Sequence, residues 1–436
     1  MKSDSTLKWT SLPGSDDITR VVLENGVTVL VRANEDSPSV RLTGYVSAGS
    51  VFDPRDRLGL SQFTALALMH GTQSRGFQEI HDTLESIGAS LGFGASVHTA
   101  SFGGQSLAED LPVLLRMLSE CLRQPSFPDD QLEKLRAQLL TGLAIRSQRT
   151  EEMASLVFEQ NLFRDHPYGY PVDGFSETVQ NITRQDILTF HNRYYGPQGM
   201  VVVVVGGISP QEVVEQVRAV LGDWRNAQQH LPEELPNPSA LYGPVRQHIV
   251  LPEKSQSDLV MGALGPARNS ADYLPASLGN SILGKFGMMG RIGDVVREQS
   301  GLAYYASANL NASLAGGSWE VSAGVNPTNL QKAIDLIIKE IRRFVEEPVT
   351  AQELEDNKSY FIGRLPLLME SNAGVAGTLM NIERFNLGLD YYRMYPEEVQ
   401  QVSAEQVLET ARNYLDPDRL VICSAGTAFD NGYKDA

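Results

Sequence analysis

The side chains of this chain that are able to do chemistry are few and scattered. There are seven histidines, at positions 70, 81, 98, 166, 191, 230 and 248. None stands three or four residues from another, the spacing that puts two imidazoles on one helix face. A catalytic zinc takes about three ligands from His, Cys, Asp or Glu, keeps one position for water, and works beside a carboxylate that accepts the proton of that water. Only His70 and His81 lie close enough along the chain for a carboxylate to join them in a relocated site, and scattered histidines more often pack or face solvent. The pairing best suited to stabilising charge is Arg297 and Tyr304. A phenol O–H preset beside an oxygen that turns negative stabilises it, and a guanidinium can grip a backbone carbonyl. Spacing alone fits better an arginine near a helix C-terminus followed by an ordinary strand aromatic.

The glycines at 284, 287, 290 and 293 precede that pair. They do not make a phosphate loop, because no Lys-Ser or Lys-Thr closes the run and no Gly-x-Gly-x-x-Gly pattern occurs. Turn formation accounts for them. Gly206-Gly207 reads as a strand exit before a helix start at Ser209-Pro210.

The elements that must position these residues come in two copies. Pro125 leads through Gln131-Leu-Glu-Lys134 into a long helix, and Pro348 does the same through Glu353-Leu-Glu-Asp-Asn-Lys358. Ile182-Thr-Arg-Gln-Asp-Ile-Leu188 runs to Pro197 and the strand Met200-Val-Val-Val-Val-Val205; Val402-Ser-Ala-Glu-Gln-Val-Leu408 runs to Pro417 and Leu420-Val-Ile-Cys423. Thr183 and Ser403 are helix-capping signals, and each proline separates helix from strand. This is duplication with a period of about half the chain. Residues 229–242, polar and proline-rich, read as a linker, so the expected domains are 1–228 and 243–436. Val21 to Val31 reads as a hairpin turning at Asn25-Gly26. Strands first and helices after, in both halves, give an α+β class with helices packed on largely antiparallel sheets.

The chain has 436 residues, 36 basic and 53 acidic, for a net charge of −17. Such acidity argues against nucleic acid or an anionic membrane as partner. Residues 1–10 hold no apolar core of signal-peptide length and no segment reaches the roughly 18 apolar residues of a spanning helix, which places the protein in the cytoplasm. Cys121 and Cys423 each sit in an apolar run and read as buried thiols.

Residues Gly59-Leu-Ser-Gln-Phe-Thr-Ala-Leu-Ala-Leu-Met-His-Gly-Thr72 resemble the zinc helix of the pitrilysin, insulinase and processing-peptidase family, whose inverted motif is His-x-x-Glu-His. Laid on it, the two His positions fall on Gln62 and Leu66 and the catalytic Glu on Ala65; the third ligand, a Glu on a later helix, falls on Gly142. The resemblance covers nearly the whole chain, includes Phe190 to Met200, and implies two homologous domains in a clam-shell, often as dimers. Arg297-Glu-Gln-Ser-Gly-Leu-Ala-Tyr304 is similar to the family stretch whose Arg and Tyr reach the zinc site, and Gly284, Gly287 and Gly290 to a substrate-guiding loop of the non-catalytic processing-peptidase subunit. Ser90 to Ser101 corresponds to the strand on which that family adds an extended peptide, though a bulged structural strand suits a chain without its own zinc better.

The expectation is therefore a chain with no metal or other cofactor of its own, inactive alone. It would serve as the non-catalytic subunit of a heterodimer in which a zinc-bearing paralogue cleaves peptides with help from Arg297 and Tyr304; a homodimer is the other assembly. The alternative is a non-proteolytic scaffold or peptide-binding protein, comparable to the core subunits of the respiratory bc1 complex.

Overall fold

A computed structural model describes residues 12–285, 287 and 290–428; the expectation for residues 1–10 and the positions Phe286, Met288 and Met289 lie outside the described residues. The chain divides into two compact units. The first is built on six strands, β1 (Thr19–Val22), β2 (Thr28–Ala33), β3 (Ser39–Val46), β4 (Ser90–Ala95), β5 (Ala100–Leu107) and β6 (Val201–Gly206), in the order β1-β2-β6-β3-β5-β4. The second is built on β7 (Val245–Val250), β8 (Ser257–Gly265), β9 (Ala303–Ser313), β10 (Gly316–Val325) and β11 (Val421–Gly426), in the order β7-β11-β8-β10-β9. In each sheet one pair is parallel, β2 with β6 and β7 with β11, and the rest are antiparallel. The α+β class and the duplication follow directly, since β2-β6-β3-β5-β4 repeats as β7-β11-β8-β10-β9.

Local sequence explains the elements. Gly26 takes φ 94° where β1 turns into β2, and the Asn25 amide donates to the Leu221 carbonyl at 2.7 Å, so the turn also docks on the unit. β6, five valines and a glycine, is buried at every position, as a strand covered on both faces requires; β11 is buried throughout in the same way. Thr183 and Ser403 cap their helices: the Thr183 and Ser403 hydroxyl oxygens accept from the backbone N–H of Asp186 and Gln406, satisfying N–H groups a helix start leaves open. Cys121 and Cys423 are free and buried, and burial pushes each thiol up to about 12.

The units do not follow the consecutive segments 1–228 and 243–436. The first comprises residues up to 141, 171–233 and 364–395; the second comprises 142–170, 234–363 and 396 onward. The helix Asn372–Arg384, from the second half of the chain, packs on β3 and β6, placing Val375, Ala376, Leu379 and Ile382 against Leu30, Val201, Val203 and Val205. Reciprocally, the helix Thr150–Phe163 packs on β8 and β11. Each half of the sequence thus supplies a helix to the sheet of the other half.

Candidate functional site

In the first unit the helix Leu60–Ala67 carries the positions that the family resemblance assigns to zinc. Its start is held by Asp53, whose carboxylate accepts from the Gly59 N–H at 3.0 Å, the Ser61 N–H at 2.9 Å and the Ser61 hydroxyl at 3.1 Å. Burial pushes this carboxyl up to about 7, with those donors pulling the other way. Gln62 turns to the sheet, where its Oε1 accepts the Ala95 N–H at 2.6 Å. That N–H is free to be taken because Ser96 donates to Thr99, so the neighbouring Ala95 points away from β5, toward the open side of the edge strand. Ala65 is fully buried and Leu66 half-buried. Gly142 lies exposed in the helix Asp129–Arg146, with nothing within 4 Å of where its Cβ would stand.

These four residues do not fit a zinc ion: one side-chain amide is engaged by β4, two positions are aliphatic and one has no side chain. No group of three or more His, Cys, Asp or Glu side chains able to hold a metal occurs among the described residues. His70 and His81 flank Phe77, with ring centroids 5.1 Å and 4.4 Å from it; His70 Nδ1 and His81 Nε2 are buried without a partner. No carboxylate among the described residues joins them, and burial pushes the His70 imidazole below its ordinary value. β4 is a regular edge strand paired from Ser90↔Gln105 to Ala95↔Ala100 without a bulge, which corrects the expectation of a bulged strand. No side chain crowds Gly92.

In the second unit the helix Tyr273–Gly284 ends against β9, where a Cβ on Gly284 would come within 2.3 Å of the Ala308 backbone nitrogen. Gly290 sits at φ 62° and a Cβ there would meet the Ile282 carbonyl at 2.6 Å. Close packing fixes both glycines; Gly287 alone has open space around it. Arg291, a residue the sequence reading passed over, anchors this turn. Its guanidinium makes two parallel bonds to Glu353, at 2.6 and 2.7 Å, and lies 3.9 Å from Glu340. The net effect on the Glu353 carboxyl is a fall to about 2: burial pushes it up, and bonds from Arg291 and Thr350 outweigh that.

Arg297 lies in the widened turn Asp294–Glu298. Its side chain is half-exposed, 3.7 Å from Glu298 Oε1, and its carbonyl accepts the Gly301 N–H. Tyr304 follows at the start of β9. Tyr305 pairs with Gly324 and Ala303 with Val325, so Tyr304 is the extra residue of a β-bulge. It is 63% exposed, and its hydroxyl has no hydrogen-bond partner among the described residues. Beside it, Tyr305 donates to Asp258 Oδ1 at 2.7 Å. Asp258 was also missed in the sequence, although a lone carboxylate in the otherwise apolar Asp258-Leu-Val-Met-Gly-Ala263 is a signal for a buried polar contact.

A duplicated α+β fold with one aliphatic, ligand-poor helix and one exposed Arg/Tyr turn defines a protein of the metallopeptidase type whose own metal positions are vacated. Residues 28–174 match the insulinase family, peptidase family M16, and residues 181–361 match its domain described as the peptidase M16 inactive domain. The chain belongs to this family, as an inactive-type member. It is 25% identical over 402 residues to an uncharacterized zinc protease of Mycobacterium bovis, covering 91% of this chain and 90% of that protein. It is 24% identical over 370 residues, 83% of each, to a non-peptidase homolog of Helicobacter pylori. Among solved structures, a peptidase M16 inactive domain from Pseudomonas fluorescens superposes with a TM-score of 0.87 at 26% identity, over 96% of this chain and 99% of that one.

Proposed function

We propose that this chain is the non-catalytic subunit of a two-chain peptidase, working with a zinc-bearing paralogue and lending it Arg297 and Tyr304. The observation that carries this reading is the contrast within one molecule: the zinc positions hold Gln62, Ala65, Leu66 and Gly142, while Tyr304 is held out on a bulge with an unengaged hydroxyl. Peptide hydrolysis builds negative charge on the carbonyl oxygen. The Tyr304 O–H stabilises that oxygen, and the Arg297 guanidinium holds a neighbouring carbonyl of the extended substrate. We assign the complex to the cytoplasm; no helix among the described residues is long and apolar enough to cross a membrane.

The test is turnover of quenched fluorescent peptides by this chain alone, by a zinc-motif paralogue from the same source alone, and by the mixture. Turnover is expected in the mixture, and Tyr304→Phe or Arg297→Ala is expected to lower kcat roughly 10- to 100-fold with association unchanged. Full turnover in both variants would remove these residues from the mechanism. An inactive mixture that still binds the peptides would favour the peptide-binding or scaffold function instead, and a homodimer by light scattering would replace the heterodimer.

A further inference from the structure

Tyr304 and Tyr305 are adjacent, identical in type, and placed at an irregularity in an edge strand. A slip of one residue at the bulge would exchange them, turning Tyr305 outward and Tyr304 over the sheet, because side chains alternate along a strand. Something must select which tyrosine stands out. Asp258 on β8, Gly324 on β10 and Tyr305 on β9 form one row across three strands, Asp258 opposite Gly324 and Gly324 opposite Tyr305. The Tyr305 ring crosses the glycine to reach the carboxylate two strands away. A Cβ on Gly324 would stand 2.4 Å from Tyr305 Cε1 and 2.6 Å from Gln256 Nε2, so any larger residue closes the path.

The carboxylate at the end of the row is 2% exposed and fully engaged. Oδ1 accepts from Tyr305 Oη at 2.7 Å and from Gln256 Nε2 at 2.8 Å; Oδ2 accepts from the hydroxyl of Thr150, at the start of the helix Thr150–Phe163. A buried acceptor of this kind is costly to leave unmade. Displacing Tyr305 would strip Asp258 of one of three donors and leave a second tyrosine hydroxyl to find a partner.

We infer that Asp258 and Gly324 are positioning residues that set the register of the bulge so that Tyr304, and not Tyr305, is presented to substrate. This rests on the reading of Tyr304 as a catalytic residue, and the experiment separates the two. Tyrosine 304 is replaced by 3-fluorotyrosine in the full chain, and its fluorine resonance is recorded in the parent and in Tyr305→Phe, Asp258→Ala, Asp258→Asn and Gly324→Ala. The same substitutions without the label are assayed in the mixture with the zinc-bearing paralogue. Tyr305→Phe keeps the ring and the packing, so it reports even where Asp258→Ala fails to fold.

One resonance is expected in the parent and in Asp258→Asn, whose side-chain oxygen still accepts from Tyr305. Two resonances, or one displaced, are expected in Tyr305→Phe, Asp258→Ala and Gly324→Ala. In the mixture these three lower kcat about tenfold with KM within about twofold, Asp258→Asn recovers most of the loss, and none lowers kcat further on a Tyr304→Phe background. An unchanged single resonance in Tyr305→Phe and Gly324→Ala overturns the inference, as does a kcat loss that adds fully to Tyr304→Phe. If the resonance splits while Tyr304→Phe itself leaves turnover intact, the catalytic reading falls and the positioning stands.

Discussion

The edge strands β4 and β9 occupy equivalent places in the two sheets, and they have been put to opposite uses. β4 is regular, and the residue of the neighbouring helix that faces it, Gln62, closes the Ala95 end of its open side. β9 is longer and irregular, and its bulge holds Tyr304 in solvent. On β4 the side chain at a position that the family resemblance assigns to a ligand takes part in the sheet's hydrogen bonding. On β9 a buried carboxylate and a glycine hold Tyr305, the neighbour of the exposed tyrosine. On the helix of the first unit Ala65 is packed into the core; beside Tyr304 a carboxylate is buried, at a cost that its three donors offset.

Four substitutions sharpen or break this contrast. The largest effect is expected from Ala65→Glu, which returns a carboxylate to the position the resemblance gives to the proton acceptor. Ala65 is 0% exposed, so the change should destabilise the chain by about 4 kcal/mol in urea unfolding; a loss below about 1 kcal/mol would mean that the vacated site still has room for its base. Next, Arg291→Ala takes the two-bond partner from Glu353, leaving it Thr350, and leaves the buried Glu340 with Arg343 as its counter-charge. It should cost about 3 kcal/mol, while a purely flexible glycine turn would lose almost nothing.

Asp53 gives the third test, through pH. Its folded value, about 7, lies above the ordinary 3.8, so between these values the folded state binds more protons than the unfolded one, and stability falls as pH rises from about 4 to 7 and is level above. Wild type should lose up to about 4 kcal/mol across that window relative to Asp53→Asn, roughly 3 pKa units at about 1.4 kcal/mol each; parallel pH profiles would show that the donors at Gly59 and Ser61 outweigh burial. The smallest effect belongs to Gln62→Ala: about 1 kcal/mol or less in stability, with roughly tenfold faster hydrogen exchange at the Ala95 amide. Unaltered exchange there would remove Gln62 from the edge of β4.

Much of the fold was legible because its signals are local. Asn25-Gly26 announces a hairpin, the valines of 201–205 a strand buried on both faces, and Thr183 and Ser403 the first residues of two equivalent helices. The exchange of the helices Thr150–Phe163 and Asn372–Arg384 was not legible, since an apolar helix face says that it is covered but not by which sheet. The vacated ligand positions and the Arg297/Tyr304 spacing could be read off a line of sequence. Asp258 could not be tied to Tyr305, 47 residues away, because only strand pairing makes them neighbours; Arg291 and Glu353, 62 apart, escaped because they lie in two helices that only tertiary packing brings together.

The exchanged helices also constrain how the chain is made. A ribosome adding roughly 5–20 residues each second releases β1 to β6 well before residues 372–384 exist, so the first sheet must wait with the face belonging to Val201, Val203 and Val205 uncovered. Cutting the gene within 229–242 would leave two polypeptides, each holding the helix the other lacks. They should be insoluble apart and recover together. One half standing alone would meet the same need by trading that helix with a second copy of itself, so the single chain joins two parts that depend on each other.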